Sequence, residues 1–514
     1  RIWADGAEIA PGTLTLRVYP GSETQLPDPR IEAVEGADAA PAYRGIAYVV
    51  IEDLDLGRFG NRVPQLSFEV IRPAQGALAD QVTTLQEAVR GVALIPGTGE
   101  FALATTPVHY GAGDDATRSA NMNSARETPD LLASLHNLEI DLPKCGSVSL
   151  VVSWFGNDLR CGQCEVQPKV EQLQEEGRGQ VWRAGGIDRA AAQVVPQVSG
   201  ASVYGGTPSD ASVIQAIRAI RASGREVMFY PFILMEQLAG TGRADPWSDA
   251  ADQPDLPWRG RITLNHAPGR AGSSDRSAAA AAEVAAFFGS AQPGHFATTG
   301  ETVTYGGPAE WRYRRFILHY AHLCAAAGGV DAFCIGSEMV ALTQIRGAGD
   351  SFPAVVALRQ LAAEVRAILG PGTKISYAAD WSEYFGYHVD SNVYFHLDPL
   401  WSDPNIDFIG IDNYMPLADW RDGDRHADAG WGSVHDLGYL KANIAGGEGF
   451  EWYYDSAEAA DAQIRTPITD GAHDEPWVFR YKDLRSWWSL PHHNRINGER
   501  LTQPTDWVPG SKPI

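Results

Sequence analysis

The sequence predicts two architectures in one chain: a β-rich N-terminal domain over residues 1–95, and an α/β domain of the (β/α)8 type over residues 146–514, joined by a connecting segment at 96–145. Three observations carry this. Up to about residue 71, apolar and polar side chains alternate in short runs punctuated by Pro and Gly. From about residue 145, apolar runs alternate with amphipathic helical patterns. Polar and aromatic residues then recur at the C-terminal ends of those runs, where a parallel barrel builds its sites.

Composition narrows the function before any motif does. At 514 residues, with 44% hydrophobic and 10% aromatic residues, the chain is a folded, multidomain protein. Its net charge of −23 argues against a nucleic-acid backbone or an anionic membrane surface as the main partner, because both reward Lys and Arg. No apolar run of about 18 residues is present, so no transmembrane segment is expected. The opening RIWADG has no basic and apolar leader. Five cysteines, with Cys145, Cys161 and Cys164 close together, make neither a disulfide framework nor a four-ligand zinc set. No metal and no cofactor are expected.

In the N-terminal domain, residues 13–19 and 65–71 read as strands, and a helix is predicted over 78–92, where Leu78, Val82, Leu85, Val89 and Val92 share one face. Residues 96–129, rich in Gly, Thr, Ala and Asp, read as a long connection. The stretch PAYRGIAYVVIEDLDLGRFGNRVPQLSFEV at 41–70 resembles the tip-hub proteins of long-tailed bacteriophages. That resemblance implies a tail-hub domain at the distal end of a tail tube, arranged as a trimer about the tube axis.

The second domain opens with SVSLVVSWF at 147–155, a buried-strand pattern. A second strand is expected at 201–206, followed by a helix with Ser209 and Asp210 at its start, Val213, Ile214, Ile217 and Ile220 on one face, and Gly224 at its end. The third strand is EVMFYPFILM at 226–235. A long insertion with Trp247, Trp258 and an extra strand at 261–266 precedes two helices and the fourth strand, which ends in GSEM at Glu338. A helix with Val355, Leu358, Leu361, Val365 and Ile368 on one face stops at Gly370. Strands at 374–384 and 406–417 complete a count of six. Repeated βα units leave a barrel or an open doubly wound sheet. No GxGxxG or GxxxxGK[ST] turn follows any strand, which favours the barrel.

Glu338 ends a short buried run abruptly and is the catalytic candidate; the competing assignment pairs it with an arginine such as Arg346. Around it, Trp154, Tyr204, Tyr230, Asp380, Trp381, Asp412 and Tyr414 fall at strand ends. Carboxylates among flat aromatic faces suit a sugar: the C–H faces of a pyranose stack on rings while acids handle the glycosidic oxygen. The bland alternative is that aromatics line many barrel mouths and that the aspartates cap the next element.

From about residue 147 onward the chain is similar to the glycoside-hydrolase-like TIM barrel of the large baseplate proteins, the megatron family, of the gene transfer agents of alphaproteobacteria. Within it, GSEM looks like the fourth-strand motif of retaining glycosidases, which implies that Glu338 is the acid/base, held protonated by burial. Many members of that group have Asn before this Glu, and here Ser337 stands there. The group's nucleophile ends a seventh strand, and WVPGSKPI at 507–514 looks like the lead into it. The barrel is therefore expected to be incomplete within this chain, the natural protein to continue beyond Ile514, and Arg1 to be internal. This stretch alone is expected not to hydrolyse glycans.

The resemblance implies a structural tail-tip or baseplate component of a phage-like particle, made in the bacterial cytoplasm and released with the particle. It implies a homotrimer that contacts other tail and baseplate proteins and a cell-surface glycan. DNA would pass through its channel without specific binding, along an acidic or neutral lumen. The alternatives are a bacterial retaining glycoside hydrolase with an N-terminal β domain, and a barrel that serves as an inert spacer.

Overall fold

A computed structural model describes residues 1–10, 12–37, 39–71, 82–111 and 118–514. The chain divides into two compact units, one of Arg1–Ala88 with Met122–Leu142, the other of Val89–Asn121 with Pro143–Ile514. No helix among the described residues is long and apolar enough to cross a membrane.

The first unit is built from short antiparallel strands. β1 (Ile2–Ala4) pairs with β2 (Ala7–Glu8) on one side and with a strand at Leu66–Phe68 on the other, while β3 (Thr15–Tyr19) pairs with β4 (Tyr48–Glu52). The Leu66–Phe68 strand is β5. The strand patterns at 13–19 and 65–71 are therefore real. Buried Asp28 joins this unit together: it caps α1 (Pro29–Glu35) through the Arg30 and Ile31 amides, and accepts from Arg17 at 2.8 Å and the Tyr19 hydroxyl at 2.6 Å. Residues 122–142, expected in the connection, belong here and carry the helix Asp130–Asp141.

The helix expected over 78–92 is corrected. Residues 78–81 lie outside the described residues, α2 spans only Leu85–Ala88, and Gly91–Gly97 is a strand, β6, paired in parallel with Ser147–Gly156. Glycine at 91 weakens a helix there, and long-range pairing then outweighs the helical spacing of Val89 and Val92. The second unit accordingly begins before residue 96. With α3 as Asp130–Asp141, the parallel sheet continues through β7 (Ser147–Gly156), β8 (Glu226–Met235), β9 (Ala332–Ser337), β10 (Lys374–Asp380) and β11 (Gly410–Asp412).

Each strand from β6 to β11 lies beside its predecessor in the chain, and all five pairings are parallel. A doubly wound sheet reverses its order at a switch point; this one does not, which is barrel-type winding. α4 (Asp210–Ala222), α5 (Ala278–Phe288), α6 (Tyr313–Ala326), α7 (Val340–Thr343) and α8 (Pro353–Leu369) fill the crossovers. Ser209 caps α4 and Gly370, at φ 79°, ends α8, as the sequence indicated. One face of the sheet buries Val151, Tyr230, Cys334 and Ala378 together, with Met228 and Phe232 against them.

Two expected strands are absent from the sheet. At 201–206 only Ala201–Ser202 is extended, in a hairpin with Gln197–Val198, and Gly205–Gly206 instead approaches the backbone at Gly99, whose amide donates to the Gly206 carbonyl at 2.5 Å. A Cβ on Gly205 would stand 2.7 Å from that amide nitrogen, so the glycine there serves the close approach. At 261–266 there is a single bridge, Arg160 to Thr263. Because β6 replaces 201–206 in the count, Glu338 still follows the fourth strand. Beside the entry to β11, the Pro513 carbonyl accepts from the Ile409 amide at 2.8 Å. All five cysteines are free and buried.

Candidate functional site

β9 ends in an irregularity against β10 between Cys334 and Ser337, and the next residue, Glu338, has φ 47°. A non-glycine residue in the left-handed region carries a conformational cost that its surroundings must hold. Here the Glu338 amide donates to the Ala378 carbonyl at 2.8 Å, and the Met339 amide to the Tyr377 hydroxyl at 2.8 Å. A Cβ on Gly336 would stand 2.3 Å from the Tyr313 hydroxyl, which itself donates to the Ile335 carbonyl, so the turn is seated tightly on α6.

Behind it lies Glu383, with no solvent exposure. Its carboxyl accepts from Tyr377 at 3.0 Å, Thr343 Oγ1 at 2.6 Å and the Asp380 amide at 3.1 Å. Burial pushes it up to about 7, against the pull of the Thr343 hydrogen bond. This buried group thus ties β10, α7 and, through Tyr377, the Glu338 turn into one network.

In front, Glu338 is 7% exposed; Trp258 Nε1 donates to its Oε2 at 2.9 Å, and the Arg259 guanidinium forms an ion pair with the same oxygen at 2.9 Å. Arg259 also bonds the Ser337 hydroxyl and carbonyl, each at 3.0 Å, and its guanidinium lies 3.7 Å from the centre of the Phe232 ring. The arginine that meets Glu338 is therefore Arg259; Arg346 pairs with Asp275 at 2.6 Å. Gly260 clears the space for Trp258, since a Cβ there would come within 2.4 Å of the indole.

Asp412, at the end of β11, lies near enough to Glu338 for the two carboxyls to interact electrostatically, and the Tyr230 hydroxyl donates to its Oδ2 at 2.5 Å. Burial pushes Asp412 up to about 7; the Glu338 carboxyl adds to this, while the Tyr230 hydrogen bond and the Arg259 charge oppose it. Asp380 stands opposite Asp412 in the parallel register and is held by the Ser382 amide at 2.8 Å.

Tyr230, Glu338, Asp380 and Asp412 are thus brought to one end of the sheet, with Tyr414, 72% exposed, two residues beyond Asp412. Trp381 stacks edge-on to Tyr481 at 4.7 Å. Trp154 is corrected: it shares strand parity with Leu150 and Val152, points to the helical layer, and donates from Nε1 to Tyr320 of α6 at 2.9 Å with no exposure. Tyr204 sits 6.1 Å from the Phe155 ring, outside the sheet strands. Sequence reasoning missed Trp258, Arg259 and Glu383. Only Glu383 left a signal, as the carboxyl three residues after Asp380.

Two neighbouring carboxyls oppose each other's ionisation, which agrees with the upward displacement of Asp412.

Residues 311–514 match the GTA TIM-barrel-like domain family. This stretch of the chain is similar to that family. It covers α6, β9 to β11 and every carboxyl of the site. A chain of the virion of a native gene transfer agent particle is 68% identical over 19% of this chain and 23% of that one, with a TM-score of 0.17. The match thus spans less than a quarter of that particle protein. The expectation of a gene transfer agent protein agrees with both findings. Similarity at the level of structure also extends to a GH113 β-1,4-mannanase complex, 15% identical over 65% of each chain with TM-score 0.32. The GH113 β-mannanase AaManA from Alicyclobacillus acidocaldarius, in complex with ManMIm, is 16% identical over 65% of this chain and 64% of that one, with TM-score 0.31. No curated protein matches the chain.

Proposed function

We propose that this chain is a structural component of the tail tip of a gene transfer agent particle, and that the mouth of its GTA TIM-barrel-like domain meets a glycan on the recipient cell. The observation that carries the particle assignment is the 68% identity to a chain of a gene transfer agent virion. The tail-hub resemblance at 41–70 supports placing the first unit on the tube axis as a trimer, beside other tail and baseplate proteins. A net charge of −23 suits a channel that DNA crosses without adhering.

The glycan reading rests on the site. Trp258 leaves 42% of its surface open beside Glu338, and Tyr414 stands exposed beyond Asp412, so two aromatic faces flank a carboxyl pair. The second reading, a glycoside hydrolase, is favoured by that same carboxyl pair. The test is electron microscopy of purified particles labelled with an antibody against this chain. Label confined to the distal tail, in three copies, is expected; label on the head or along the tube would overturn the assignment.

A further inference from the structure

We infer that Trp247 forms a second sugar subsite next to the one at Trp258, so that the mouth takes a chain of several sugars and not a single terminal one. The inference rests on the glycan reading above and deepens it: it assigns the ligand as a polymer and adds a residue outside the carboxyl site.

The insertion after β8 presents two open indoles, Trp247 at 36% exposure and Trp258 at 42%. Exposed aromatics standing singly are ordinary. These two are each pinned through the indole N–H. Trp258 Nε1 donates to Glu338 Oε2 at 2.9 Å, and Trp247 Nε1 donates to the Arg261 carbonyl at 2.9 Å. Arg261 closes the short 3-10 turn Arg259–Arg261, donating its amide to the Trp258 carbonyl at 3.0 Å. The two rings are therefore fastened at opposite ends of one turn. At a rise of about 2 Å per residue, those ends lie roughly 6 Å apart along the backbone, a span that one oligosaccharide bridges. Arg259, in the middle of the turn, ties it to Ser337 and Glu338.

The Trp247 end is braced independently. Asp245 accepts from the Trp247 amide at 3.2 Å and from the Ser248 hydroxyl at 2.6 Å, while Arg270 donates to the Trp247 carbonyl at 2.8 Å and the Ala267 amide to the Pro246 carbonyl at 3.0 Å. The Arg261 guanidinium lies 5.7 Å from the centre of the Trp247 ring. An indole held in this way has little side-chain freedom left to lose, so stacking on it costs little entropy. Its N–H is already taken. What it offers a ligand is apolar ring surface, which suits the C–H face of a pyranose.

Chain length is the readout that a merely structural role would not move. The whole chain is titrated calorimetrically with disaccharide and octasaccharide fractions from a partial hydrolysate of recipient cell-surface polysaccharide. Trp247→Ala is expected to weaken octasaccharide binding about threefold to tenfold, the range of one aromatic contact, and to leave disaccharide binding unchanged. Trp258→Ala should weaken both. Trp247→Phe keeps a flat ring without the N–H and should recover part of the octasaccharide affinity. Equal losses at both lengths in Trp247→Ala, or wild-type binding that Trp247→Ala alters at neither length, would overturn this inference and leave the glycan reading standing. Failure of the wild type to bind either fraction would overturn both.

Discussion

Trp258 donates its indole N–H to Oε2 of Glu338 at 2.9 Å, linking the long insertion after the third strand to the end of the fourth. Arg259, the next residue, reaches the same oxygen. The hydrogen bond and the ion pair differ in kind, and their removal should differ in cost. Trp258→Phe forfeits one hydrogen bond of a charged acceptor, about 1.5–3 kcal/mol. Arg259→Met strands a buried carboxyl without its cation and should cost more, roughly 3–5 kcal/mol. Urea denaturation midpoints of the two variants check the order; equal midpoints would show that Arg259 does not hold Glu338.

Gly260→Ala is predicted to move the Trp258 ring without unfolding the barrel. A Cβ would come within 2.4 Å of the indole, whose outer edge is free to swing. Tryptophan fluorescence should change while the melting temperature falls by only a few degrees, the response to about 1 kcal/mol in a chain of this size. Fluorescence identical to wild type would mean that the ring has room this geometry does not show.

How much of this was legible in the sequence depends on the periodicity of each stretch. Glu226–Met235 and Ala332–Ser337 are bounded apolar runs and declare themselves as strands. Ser147–Gly156 does too, but a strand buried on both faces carries no alternation, so nothing in SVSLVVSWF says that Trp154 faces the helices. The strand Gly91–Gly97 was hidden because Leu85, Val89 and Val92 also satisfy helical spacing. Trp258 reaches Glu338 across 80 residues of chain, and no local pattern encodes that meeting. Asp380 and Asp412, by contrast, were readable as strand ends because their register is set by the strands themselves.

Stability should vary with pH mainly between about pH 3 and 7, where two opposing sets of groups titrate. Asp412 and Glu383 are raised to about 7 from 3.8 and 4.5, so the stability they contribute is complete below their unfolded values and is lost as pH rises through about 7. Burial lowers His388 to about 4 and His396 to about 3 from 6.5, so their contribution is present above 6.5 and is lost as pH falls toward those values. Denaturation midpoints between pH 4 and 9 check this. Glu383→Gln should remove part of the loss of stability as pH rises from about 4.5 to about 7; a loss unchanged by it would place the titrating group elsewhere.

Glu383→Ala should be the costlier change, roughly 2–4 kcal/mol, because it leaves a cavity and removes the partner of the Tyr377 and Thr343 hydroxyls. Its effect should reach the Glu338 turn through the Tyr377 hydroxyl on the Met339 amide. Hydrogen exchange at the Met339 amide is the readout. Exchange as slow as in wild type would show that the turn stands without this support.

Glycan binding at the mouth of the sheet is measured by calorimetry of the chain against polysaccharide from the recipient cell surface. Binding by the wild type is predicted, weakened about threefold to tenfold by Trp258→Ala, the range of an aromatic contact, and weakened also by Glu338→Gln, with circular dichroism unchanged in both. Binding that neither substitution alters, or no binding by the wild type, would contradict it.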